Sequence, residues 1–109
     1  MTTIELFDAV RQHFGKAHQI IKCIEEMAEL TKELCKLLEG NRGTWTVAEE
    51  MGDVEITFAE LKHYYNLDKA VEESKKAKLQ RLEKRLQDEG VEFLDNELIY
   101  DDEVMGRLK

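Results

Sequence analysis

Residues 16–39 read KAHQIIKCIEEMAELTKELCKLLE, and this stretch decides the fold class. Ile20, Ile24, Met27, Leu30, Leu34, Leu37 and Leu38 recur at helical spacing, with Glu and Lys between them. That is the pattern of an amphipathic helix rather than a strand. Gly15 permits a bend before it, and Gly40 is a natural C′ residue after it. Upstream, Thr2 and Glu5 have capping-box spacing, and Ile4, Phe7, Ala9 and Val10 supply an apolar side, which predicts a short helix from Ile4 to about His13. Downstream, Gly40-Asn41-Arg42-Gly43-Thr44-Trp45 is a loop by composition. Thr46 and Glu49 form a second capping box for a third helix that runs to about Tyr65 and carries Val47, Met51, Val54, Phe58, Leu61 and Tyr65 as its apolar stripe. Asn66 and Asp68 offer caps for a fourth, with Val71, Leu79, Leu82 and Leu86, that stops at Gly90. The expected fold is all-α, an antiparallel bundle of four helices, with residues 1–90 as one domain and 91–109 as an acidic C-terminal arm that contacts a partner.

Composition narrows the function classes. The 109 residues include no proline, 37% are charged, and the formal net charge is −8. A general nucleic-acid binder needs a basic face, so this balance argues against one. No apolar run approaches a membrane span, and the start, Met1-Thr2-Thr3-Ile4-Glu5, has neither the basic nor the apolar region of a secretory leader. Cys23 and Cys35 lie on one helix, about 18 Å apart at 1.5 Å of rise per residue, too far for a mutual disulfide. They read as reduced, buried or half-buried thiols of a cytoplasmic protein.

The chemistry lies in a repeat. Glu25-Glu26-Met27-Ala28-Glu29-Leu30 is echoed by Glu49-Glu50-Met51-Gly52-Asp53-Val54, 24 residues later. Glu26 with Glu29, and Glu50 with Asp53, are each three residues apart and share a helix face. In an antiparallel pair, opposed positions have residue numbers of constant total. Glu26 opposite Asp53 and Glu29 opposite Glu50 satisfy the same total, so both pairs can lie level. Four carboxylates meeting between two helices repel and raise one another's pKa values. A divalent cation converts that repulsion into binding, and an all-oxygen set suits Mg²⁺ or Mn²⁺. Glu50 and Asp53 also fall near the expected start of their helix, where the dipole favours negative charge. Either pair alone is more often a solvated face. Glu49 is explained as a capping acid, and Glu33, Glu39 and Glu60 are assigned no function.

Glu25-Glu26-x-x-Glu29, twenty residues, then Glu50-x-x-Asp53 resembles the signature of the all-α nucleotide pyrophosphohydrolases, particularly the MazG-like branch. The superfamily also includes dimeric dUTPases, dCTP pyrophosphatases and phosphoribosyl-ATP pyrophosphohydrolases. The resemblance covers about residues 14–86, including Phe14-Gly15-Lys16 and Gln19. It implies Mg²⁺-dependent hydrolysis of a nucleoside or deoxynucleoside triphosphate to the monophosphate and pyrophosphate, in a homodimer or homotetramer. By position it makes Glu26, Glu29, Glu50 and Asp53 the metal ligands, with Glu25 beside them to orient the attacking water or support the shell. Similar proteins often carry a Lys and an Asn on the helix after the second motif. Here that stretch, Lys75-Lys76-Ala77-Lys78-Leu79-Gln80-Arg81, has no Asn. Lys78 and Arg81 are the candidates for phosphate contacts, against the alternative of a solvated basic face paired with Glu72 and Glu89. Trp45 either stacks on a base or plugs the bundle end. Gln19 is a candidate for reading a base edge, His13 and His18 flank Gly15 near the expected pocket mouth, and Tyr64 and Tyr65 belong to the core or an interface.

Three other readings stand beside this one. A phosphoribosyl-ATP pyrophosphohydrolase-like activity would use the same carboxylates. A di-iron carboxylate bundle is suggested by Glu60-x-x-His63, but that architecture needs two such motifs. A non-catalytic helical oligomerisation module would keep the helices with no need for matched carboxylate pairs.

Overall fold

The computed structural model describes residues 1–40 and 43–92. Asn41, Arg42 and residues 93–109, and with them most of the expected arm, lie outside the described residues. Among the described residues the secondary structure is four helices and no strand: α1 (Thr3–Phe14), α2 (Lys16–Leu38), α3 (Thr44–Tyr65) and α4 (Asp68–Asp88). No described helix is long and apolar enough to cross a membrane. The chain divides into two compact units, Met1–Asp68 and a second that begins at Lys69. The division falls at the first residue of α4, within the span expected to form one domain.

The helix ends follow local chemistry. Thr2 caps α1 with a complete capping box: its hydroxyl accepts from Glu5 N at 3.1 Å, and Glu5 Oε2 accepts from Thr2 N at 3.2 Å. Between α1 and α2 the chain turns at Gly15, whose φ of +92° is open to glycine and strained for an L side chain. Gly40, at φ +76°, follows the end of α2 as its spacing predicted. Asn66 closes α3 in the left-handed conformation at φ 55°.

One cap differs from expectation. The third helix starts at Thr44, with Gly43 as its N-cap, so the Thr46–Glu49 capping box does not form. Thr46 Oγ1 instead donates to Gly43 O at 3.3 Å, inside the first turn. Trp45 therefore belongs to the helix rather than preceding it. Glu50 and Asp53 also lie beyond the first turn, where the helix dipole has largely decayed, so the dipole does not account for their placement.

Within the first unit α2 and α3 pack antiparallel. Gln19 Nε2 donates to Glu60 Oε2 at 2.7 Å, and these two numbers share the total that sets Glu26 opposite Asp53. The register inferred from the carboxylate repeat is the register of the helix pair. Buried along the pair are Gln19, Cys23 and Glu33 from α2, and Val47, Val54, Thr57, Glu60 and Tyr64 from α3. α1 docks on the far end of α3: the Tyr64 hydroxyl donates to Phe7 O at 2.7 Å, and His63 Nε2 lies 2.8 Å from Asp8 Oδ1. Phe7 is buried there.

The expected apolar stripes fill this core only in part: Phe7, Val47 and Val54 are buried, but much of the rest is not. Ile24 is 56% exposed and Leu38 90%, and Ile20, Met27, Leu34, Leu37, Met51, Phe58 and Tyr65 are also exposed. Tyr65 lies under the Lys16 ammonium, 5.2 Å from the ring centroid. Of the two thiols, Cys23 is buried while Cys35 is exposed, against the expectation that both would be at least half-buried; neither is in a disulfide.

Candidate functional site

The α2–α3 register brings the repeated acids together. One carboxylate oxygen from each of Glu26, Glu50 and Asp53 lies within 4.8 Å of the other two. Glu26 and Glu50 are half-buried and Asp53 is exposed. Glu29 is exposed and outside this close triplet, although its charge still reaches Glu50. Glu50 records the crowding: its pKa is raised first by burial, then by the charges of Asp53, Glu26, Glu29 and Glu33. Such a set of hard oxygen donors fits a divalent ion of the Mg²⁺ or Mn²⁺ type.

Lys22, one turn before Glu26, is the cluster's counter-charge. Its ammonium lies 3.1 Å from Glu26 Oε1. Its pKa is raised by the hydrogen bond to Glu26 and the charge of Glu26, with smaller contributions from Glu25 and Asp53, against some desolvation. The four-residue spacing to Glu26 was visible in the sequence, but such pairs are usually surface decoration. Only the cleft gives this one a role.

That cleft has a volume of about 510 Å³. Its acidic end presents Glu25, Glu26, Asp53 and Lys22, and its opposite end presents Phe14, His18, Gln19 and Glu60. Val10, Ile21, Ile56 and Thr57 complete the lining. A cleft that pairs carboxylates and an ammonium at one end with the rings of Phe14 and His18 at the other has room and chemistry for a ligand with a polar group at one end and a flat ring at the other.

The other candidates are distributed as follows. Gln19 lines the cleft, but both atoms of its amide are engaged by neighbours: Nε2 by Glu60 and Oε1 by His18 Nδ1 at 2.7 Å. Trp45 is 74% exposed on the first turn of α3 and is not among the cleft residues. Lys78 and Arg81 are exposed on α4, in the second unit.

Two acids that the sequence reading left without a role are buried. Glu60, 6% exposed, accepts from Gln19 and lies 3.1 Å from the Tyr64 hydroxyl. Glu33 is also buried, with Oε1 3.4 Å from Lys36 Nζ and Oε2 without a hydrogen-bond partner. The Glu60-x-x-His63 spacing does not make a shared site, since His63 turns to Asp8 while Glu60 joins Gln19 and Tyr64.

Comparison with protein-family models, curated proteins and solved structures yields no match to this chain.

Proposed function

We propose that the chain is a divalent-metal-dependent nucleoside triphosphate pyrophosphohydrolase of the all-α, MazG-like kind, cleaving a nucleoside or deoxynucleoside triphosphate to the monophosphate and pyrophosphate. One observation carries the reading: the carboxylates of Glu26, Glu50 and Asp53 converge within 4.8 Å across two helices, and Glu26 and Asp53 of this cluster line a cleft that also holds the rings of Phe14 and His18. Glu26, Glu50 and Asp53 would hold the metal, and a rotamer change of the exposed Glu29 would complete the set. When bound, Mg²⁺ would neutralise phosphate charge and polarise the phosphorus under attack.

The protein's own groups do the rest. Glu25, on the cleft wall beside the cluster, accepts the proton of the attacking water as its oxygen closes on the α-phosphorus. The bond to the bridging oxygen breaks and pyrophosphate leaves. Lys22 transfers its hydrogen bonding from Glu26 to a non-bridging phosphate oxygen, exchanging one anionic partner for another at little cost. The apolar lining excludes water from the base and sugar.

In this reading the protein is cytoplasmic and works as a homodimer or homotetramer, in which a second copy covers the exposed Ile24, Met27, Leu34 and Leu38 face of α2. The test is a screen of all nucleoside and deoxynucleoside triphosphates for pyrophosphate release with Mg²⁺ or Mn²⁺. The expected result is release from at least one, abolished by EDTA. Metal-dependent release of inorganic phosphate alone, or no release from any of them, overturns the assignment.

A further inference from the structure

The aromatic end of the cleft is held by a chain of hydrogen bonds whose directions are fixed by chemistry. Glu60 Oε2 lies 3.1 Å from the Tyr64 hydroxyl and accepts from Gln19 Nε2 at 2.7 Å. A carboxylate oxygen accepts, so the amide nitrogen of Gln19 faces Glu60 and the amide oxygen faces His18. That oxygen lies 2.7 Å from His18 Nδ1. An amide oxygen has no proton to give, so the proton of the bond sits on Nδ1. In the neutral ring the other nitrogen, Nε2, is then an acceptor. Phe14 stacks on the same imidazole, centroids 4.8 Å apart and planes 17° from parallel. One face and one edge of the ring are therefore engaged, and Nε2 lies on the remaining edge of a ring that lines the cleft.

We infer that His18 is a specificity-determining residue: its Nδ1–H tautomer, set by Gln19 and Glu60, accepts a hydrogen bond from the exocyclic amino group of a nucleobase and so favours cytosine over uracil or thymine. The inference rests on the nucleotide reading above. A base bound with its exocyclic amino group against Nε2 donates to it. A keto oxygen at the same position sets acceptor against acceptor and leaves both without a partner. That mismatch corresponds to roughly tenfold to hundredfold in affinity. Gln19 is in this account a positioning residue, because its amide is already engaged at both ends.

The test uses the full-length, ¹⁵N-labelled protein in mildly alkaline buffer. Long-range ¹H–¹⁵N spectra, assigned with the His18→Phe variant, report the tautomer directly. The expected form is Nδ1–H, and an Nε2–H ring overturns the inference. Titration with dCMP and dUMP in the presence of Mg²⁺ follows. Binding of dCMP is expected to be at least about tenfold tighter and to shift the His18 Nε2 resonance. In His18→Phe, which keeps a ring on Phe14 but has no acceptor, the ratio should fall close to one. Equal affinities in the wild-type protein, or no binding of either, overturn the proposal. Nucleotide discrimination without pyrophosphate release would reject the hydrolase and keep the role of His18. Pyrophosphate release without discrimination would do the reverse.

Discussion

Replacing Tyr64 with Phe removes one oxygen from the place where three helices meet. The ring stays, so no cavity opens, and what is lost is hydrogen bonding. The hydroxyl donates to Phe7 O at 2.7 Å, which ties α1 to α3, and lies 3.1 Å from Glu60 Oε2, which is itself tied to α2 through Gln19. A neutral hydrogen bond contributes about 1 kcal/mol and one to a charged group about 1.5–3 kcal/mol. Because one proton serves both acceptors, the expected loss is about 2–3 kcal/mol rather than the full total. For a unit of this size that corresponds to a fall in Tm on the order of 8–24 °C. Urea unfolding followed by far-ultraviolet circular dichroism, at one protein concentration, measures it. Tyr65→Phe is the control, since Tyr65 is exposed, and it should change stability by less than about 0.5 kcal/mol. The pH profile gives a second readout. Burial, with the charge and hydrogen bond of Glu60, pushes the Tyr64 pKa up from 10.0 to about 12. A group raised on folding contributes stability that is fully present below its unfolded value and is lost as pH rises through the folded one. The wild-type protein should therefore lose stability between pH 10 and about 12 more steeply than Tyr64→Phe. If Tyr64→Phe is as stable as the wild type, the hydroxyl does not join these helices and the packing argument fails.

Glu50→Gln should raise the Tm of the metal-free protein at neutral pH, because the raised pKa of Glu50 means that its ionised form is disfavoured in the fold. The gain should vanish below the ordinary carboxylate range, and Mg²⁺ should no longer stabilise the variant; melts with EDTA and with Mg²⁺ check both. Lys22→Met removes the ammonium at Glu26. Steady-state kinetics should show the KM for the triphosphate raised by roughly tenfold to a hundredfold, a charged hydrogen bond's worth, while calorimetric Mn²⁺ affinity stays the same or improves. Thr2→Ala breaks the capping box of α1 and should cost about 1 kcal/mol by urea unfolding.

The legible part of this protein was its periodicity and its repeat. Capping chemistry at Thr2 and glycines at positions 15 and 40 place the breaks, and the doubled acidic motif fixes the α2–α3 register that Gln19 and Glu60 confirm. The choice of buried face on α2 was not legible. A helical period says that a helix has an apolar side; it does not say which partner covers that side. Here the helix pair is lined by Gln19, Cys23 and Glu33, while the more apolar Ile20, Ile24, Met27 and Leu34 stripe stays exposed. The burial of Glu60 was not legible for a related reason. Its burial depends on Gln19, 41 residues away, a pairing with no local signature, although Tyr64 lies only four residues on along the same helix. The start of α3 was misplaced because a Thr–Glu spacing of three fits a capping box and equally fits two residues within a first turn.

The account stands on the carboxylate cluster, and its most direct test is pyrophosphate release by the wild-type protein beside Asp53→Asn, with Glu55→Gln as an exposed acidic control on the same helix. With Mg²⁺ and the triphosphate turned over fastest, Asp53→Asn should lose about a hundredfold or more in kcat, while Glu55→Gln should stay within about twofold. An Asp53→Asn protein that folds normally and releases pyrophosphate at the wild-type rate would contradict the account.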